Sequence, residues 1–76
     1  MKQDDSFNTH DLNVAGFLLA KGFPLVRIES AGGFRKTFCF PLDAREVADQ
    51  FYSDAPVPAR SFANAIRDLK ARVMMA

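Results

Sequence analysis

Leu25-Val26-Arg27-Ile28-Glu29-Ser30-Ala31-Gly32-Gly33-Phe34-Arg35-Lys36-Thr37-Phe38-Cys39-Phe40 is the stretch that decides the fold class. Residues 25–29 and 35–40 read as two strands. Ala31-Gly32-Gly33 between them reads as a turn, because glycine accommodates positive φ. On the period of two, Val26 and Ile28 share one face of the first strand, and Lys36, Phe38 and Phe40 share one face of the second. A two-stranded hairpin is marginal alone in water, so helices must cover its apolar side.

The flanks supply those helices. Before the hairpin, Thr9 reads as an N-cap for a helix from His10 to Lys21, and Gly22 stands where a C′ glycine stops it. Phe23-Pro24 cannot continue that helix. After the hairpin, Pro41 ends the second strand, and Asp43 and Glu46 have the spacing of a capping box. A helix from Ala44 to Tyr52 follows, with Ala44, Val47, Ala48 and Phe51 on one side. Residues 53–58 form a loop with two of the four prolines. Pro58 opens the last helix, since its missing N–H would be unpaired there anyway. That helix runs to Val73 or Met74 on a core stripe of Phe62, Ile66, Leu69 and Val73. The expected architecture is α+β: a two-stranded antiparallel hairpin packed against three helices, in the order helix-strand-strand-helix-helix. Residues 1–6 read as a flexible N-terminal tail and residues 7–76 as a single domain.

Composition removes several classes of function. At 49% apolar residues and a net charge of +1, the 76-residue chain is neither disordered nor a generic polyanion binder. One cysteine, Cys39, excludes a disulfide scaffold. Cys39 and His10 cannot supply the four ligands of a zinc site, and no other cofactor motif is present, so no metal and no cofactor is expected. Gly32-Gly33 is not followed by a helix and is not a phosphate loop. His10 reads as an exposed first-turn residue, Cys39 as a packing residue, and Asp43, Glu46 and Asp49 as capping and solubilising acids. With no convergent titratable groups, the expectation is not an enzyme. No run reaches the roughly 18 apolar residues of a membrane span. The polar, acidic start and the free cysteine fit the cytoplasm.

Two surfaces stand out. At 100° per residue, Leu12, Ala15, Gly16 and Leu19 form one face of the first helix, while Val14 and Phe17 point nearly opposite. Either the last helix or the Phe23 segment covers Val14 and Phe17, or they are a partner surface. The second surface is the last helix. From Ala55 onward Arg60, Arg67, Lys70 and Arg72 face the single acid Asp68. Arg60, Asn64, Arg67 and Lys70 are the candidate anion or nucleic-acid contacts. A solvated basic face explains them better, with Lys70 and Arg72 favoured by the negative helix end and Arg72 paired to Asp68.

Thr9-His10-Asp11-Leu12-Asn13-Val14-Ala15-Gly16-Phe17-Leu18 with Lys21-Gly22-Phe23, the hairpin end Thr37-Phe38-Cys39-Phe40, and Val57-Pro58-Ala59-Arg60-Ser61-Phe62-Ala63-Asn64-Ala65-Ile66-Arg67-Asp68-Leu69-Lys70 together resemble a small bacterial and phage family known as a domain of unknown function. The resemblance covers residues 7–73. It implies a compact single-domain protein of bacteria or their mobile elements, carries no activity or catalytic residue, and draws attention to Asn64, Arg67, Asp68 and Lys70. The functional expectation is a non-enzymatic interaction module, homodimeric through Val14 and Phe17 or through paired sheet edges. The alternative is a nucleic-acid-binding accessory protein using the basic face of the C-terminal helix, joined by Arg27, Arg35 or Lys36 from the hairpin.

Overall fold

The computed structural model describes residues 6–30 and 36–75. Strand β1 (Ser6–Thr9) precedes helix α1 (Leu12–Ala20), and strands β2 (Arg27–Ser30) and β3 (Lys36–Pro41) follow. Helices α2 (Ala44–Tyr52) and α3 (Ala59–Met75) complete the chain. The sheet is antiparallel, three-stranded and ordered β1-β3-β2. The α+β class and the three helices agree with the sequence reading. The element order does not: the chain starts with a strand, and the pair β2–β3 gains β1 on the far side of β3. The turn at Ala31-Gly32-Gly33 lies outside the described residues, as does Arg35.

The sequence reading places Ser6 in the tail and Thr9 as the cap of the first helix, whereas both belong to β1, a short strand with one large apolar residue. Its stability is tertiary. Phe7 sits opposite Phe40, and Thr9 opposite Phe38. Directly opposed residues share a face, so Phe7, Thr9, Phe38, Phe40 and Ile28 line one side of the sheet. Thr9 is therefore a strand residue, not a cap. Its hydroxyl accepts from the Asp11 N–H at 3.1 Å, and the Asp11 carboxylate accepts from the Asn13 N–H at 2.8 Å. Asp11, in extended backbone, is the N-cap. Ser6, placed in the tail by sequence, is the first residue of β1.

Helix α1 ends as its glycine requires. Gly22 has φ +102°, its N–H bonds the Leu19 carbonyl, and the Phe23 N–H bonds the Leu18 carbonyl, both at 3.0 Å. These two bonds form a Schellman motif. Helix α2 ends the same way on a different residue. The Asp54 N–H reaches the Phe51 carbonyl and the Ala55 N–H reaches the Gln50 carbonyl, with Asp54 at φ +61°. Aspartate tolerates the left-handed region better than most side chains, but still at a cost. The start of α2 departs from the capping box. Asp43 already has helical φ −67° and ψ −8°, so its carboxylate makes no cap bond. The Leu42 carbonyl accepts from the Arg45 N–H instead. Pro58 lies just before α3, and its carbonyl accepts from the Phe62 N–H at 3.0 Å.

The core joins the apolar sheet face to all three helices. Val14, Phe17 and Leu18 of α1, Phe38 and Phe40 of β3, Ala44 and Ala48 of α2 and Leu69 of α3 form one buried cluster. Helix α1 is its centre: Val14 through Leu18 are buried without interruption, and α1 packs along α3 and also against α2 and β1. A helix apolar all round belongs inside a core. This corrects the reading of Val14 and Phe17 as a partner surface, because each is only 1% exposed. The cover is not the Phe23 segment alone. The Phe51 ring meets the Phe17 ring edge-on at 5.7 Å, and the Lys21 ammonium lies 5.4 Å from its centroid. Both contacts are favourable geometries for an aromatic ring.

Unfolding measurements on four variants check these assignments. Truncating Phe17 to Ala should cost about 3–5 kcal/mol by denaturant unfolding, as for a fully enclosed ring. Tyr52→Ala, at a ring 69% exposed, should cost within about 0.5 kcal/mol, as for an ordinary surface site. At the α2 terminus, Asp54→Gly should raise stability by about 0.5–1 kcal/mol. Asp54→Val should lower it by at least about 1 kcal/mol, because a β-branched residue resists positive φ.

Candidate functional site

Helices α1 and α3 run antiparallel. Gly16 of α1 lies against Phe62 and Ile66 of α3, whereas Leu12, nearer the start of α1, borders the same trough as Val73 and Met74, near the end of α3. At ~1.5 Å per residue, α3 advances roughly 12 Å from Ile66 to Met74, while α1 retreats only roughly 6 Å from Gly16 to Leu12. The last turns of α3 therefore overhang the helix beneath them. The space left between that overhang and the start of β3 is a trough of about 400 Å³, lined by His10, Leu12, Lys36, Phe38, Lys70, Val73 and Met74.

Lys70, Lys36 and His10 each reach the trough for a local reason. Lys70, Val73 and Met74 are spaced i, i+3, i+4 and so share one side of α3. Lys36 opens β3 on the same sheet face as Phe38 and Phe40. Its ammonium donates to the Ser30 hydroxyl at 3.1 Å, across the pairing of β2 and β3. His10 occupies the junction between β1 and α1. Its Nδ1 lies 3.2 Å from the Lys36 carbonyl oxygen and 3.1 Å from the Thr37 hydroxyl. With Nδ1–H donating to the carbonyl, Nε2 is the ring nitrogen left for another partner. His10 is thus a tie from the junction to β3, and not a first-turn helical residue.

Among the described residues, none that line the trough carries a carboxylate. The nearest acid in sequence, Asp11, is engaged in capping α1. Arg60, Arg67, Lys70 and Arg72 form no ion pair among the described residues. The Arg72–Asp68 pair suggested by spacing is absent. Among the described residues the trough therefore combines an apolar floor with two lysines that no lining acid compensates. It can attract an anion and cover an apolar group attached to that anion. No group of three or more potential metal ligands occurs among the described residues, and no helix there is long and apolar enough to cross a membrane.

Of the four α3 residues singled out by sequence, only Lys70 borders the trough. Arg60, Asn64 and Arg67 are exposed elsewhere on α3. Of the hairpin cations, Lys36 joins Lys70 at the trough, while Arg27 pairs with Glu29 on the opposite sheet face. Cys39 is buried on that opposite face, between Asn8 and Arg27 in register. His10, Leu12, Val73 and Met74 were not candidates from sequence. One signal was available: Lys36 alternates with Phe38 and Phe40, and a lysine on an apolar strand face marks the rim of a core. His10 carried none.

Comparison with curated proteins and with solved structures gives no match. A family model, described as Domain of unknown function (DUF5659), matches residues 4–75. That match takes in every described element, from β1 through α3, and the chain belongs to this family.

Proposed function

We propose that this chain is a non-enzymatic binding module that holds an anionic partner against the end of α3 and the trough beside it. The observation that carries the reading is the meeting of His10, Lys36 and Lys70 around an apolar floor with no acid among the described lining residues. Isolated surface cations are common and mean little. Two lysines and an imidazole from separate parts of the chain that converge on one concave apolar surface are a recognition geometry. The homodimer reading loses Val14 and Phe17, which are buried. Its remaining support is the outer edges of β1 and β2, each four residues long, and short edges are the kind proteins use to limit strand pairing.

A second reading rests on a separate observation. Arg60 and Arg67 are exposed and form no ion pair among the described residues, with Asn64 exposed between them. This face suits phosphates, and supports a nucleic-acid-binding accessory protein.

One titration separates the two. Polyglutamate, a short DNA duplex and a single-stranded RNA are each added to isotopically labelled protein at low and moderate salt. The primary reading expects polyglutamate to shift the amides of His10, Lys36 and Lys70, with binding weakened about tenfold by Lys70→Glu and changed less than about twofold by Arg60→Glu with Arg67→Glu. The reverse order of variants, with DNA or RNA as the tighter ligand, establishes the second reading and overturns the first. No shift with any of the three overturns both.

A further inference from the structure

We infer that the trough receives a short acidic segment of a partner protein, which seats one large apolar side chain on the floor and sets its flanking carboxylates against Lys36 and Lys70. This rests on the trough being the recognition surface and adds the chemistry of its occupant.

Charge comes first. Lys36 and Lys70 stand on different elements, β3 and α3, at one trough, so two anionic groups spaced along an occupant can be met at once. Lys36 is held by Ser30, which leaves two of its three donors for a ligand. Charge complementarity of this kind sets specificity and approach rate more than it sets raw affinity. The apolar surface of Leu12, Val73 and Met74, lying over the buried Phe38, must supply the rest.

The floor selects between classes of polyanion. Single-stranded nucleic acids gain affinity by stacking bases on exposed aromatic faces. Of the two aromatic rings at this trough, Phe38 is 3% exposed and offers no such face. That leaves the single His10 imidazole, tied at Nδ1 to β3, where stacking successive bases needs a row of rings. The remaining floor is aliphatic and sulfur-bearing, suited to Leu, Phe or Met from a protein. Met74, 86% exposed at the trough, is unbranched and polarizable, and adapts to differently shaped apolar groups. The trough is also open to solvent rather than an enclosed cavity. A free fatty acid would leave much of its tail in water there. A side chain carried on a peptide backbone needs only its own length covered, and the opening leaves the backbone in solvent.

The test uses the full chain and three probes: a peptide with a central Phe flanked by Glu and Asp, the same peptide with Phe replaced by Ser, and decanoate. Binding is read by amide shifts and calorimetry. The expected result is saturable binding of the first peptide at the trough, weakened about tenfold or more by Lys70→Glu and by Lys36→Glu, and weakened at least about threefold by Met74→Gln. Because Met74 and Lys70 are exposed, these variants should keep the wild-type unfolding midpoint, which a parallel melt checks. Equal binding of the Phe and Ser peptides overturns the inference and leaves the broader anion-binding reading standing. Tighter binding of decanoate than of the Phe peptide also overturns it. Absence of binding by either peptide, together with no response to polyglutamate, removes both.

Discussion

The structure depends on how closely α3 can lie against α1. Gly16 sits in the middle of a helix that is otherwise apolar and mostly bulky, and the Ile66 side chain of α3 occupies the place where a Cβ would be: a Cβ built on Gly16 would lie 2.5 Å from Ile66 Cδ1 and 3.1 Å from Cγ1. Glycine inside a helix costs about 1 kcal/mol relative to alanine. That cost is offset here by interdigitation, which buries Leu69 and Ala65, brings Phe62 onto the core and seats Ile66 against Gly16. With α3 seated this way, α1 is enclosed by α2, α3 and the sheet. The small chain thereby gains a helix buried on every side, an economical use of apolar residues in a domain of limited core volume.

The same contact places the candidate site. Because the antiparallel helices cross at Gly16, the unequal lengths of α1 and α3 leave the overhang at the far end. Lys70, Val73 and Met74 meet the start of β3 there. The short junction from Thr9 to Leu12 brings His10 to the same place, tied to Lys36 and Thr37. The site is a consequence of helix length and register, and no local motif encodes it.

This explains what could and could not be read from sequence. The β2–β3 pairing, the Gly22 stop and the bounds of α2 follow from local rules, namely alternation, positive φ and one-sided periodicity. β1 does not, because Phe7 and Thr9 become a strand only against Phe40 and Phe38. The position of Val14 and Phe17 was ambiguous for a related reason. Local periodicity shows that α1 has two apolar sides, but only the packing of α2 shows that Phe51 and Lys21 close over the second. At the site, the basic character of α3 was legible. The separation of Lys70 from Arg60 and Arg67, and its meeting with Lys36 and His10, required the tertiary arrangement.

The most direct measurement of the central claim is a double-mutant cycle on stability between Gly16→Ala and Ile66→Val, read by denaturant unfolding. Overpacking outweighs the gain in helix propensity, so Gly16→Ala alone should destabilise by about 1–2 kcal/mol. Ile66→Val removes the Cδ1 at 2.5 Å and keeps the Cγ1 at 3.1 Å, so in that background Gly16→Ala should be close to neutral, with a coupling of at least about 1 kcal/mol. If Gly16→Ala instead stabilises the protein by about 1 kcal/mol in both backgrounds, as at an exposed helical position, the close seating of α3 on α1 is contradicted.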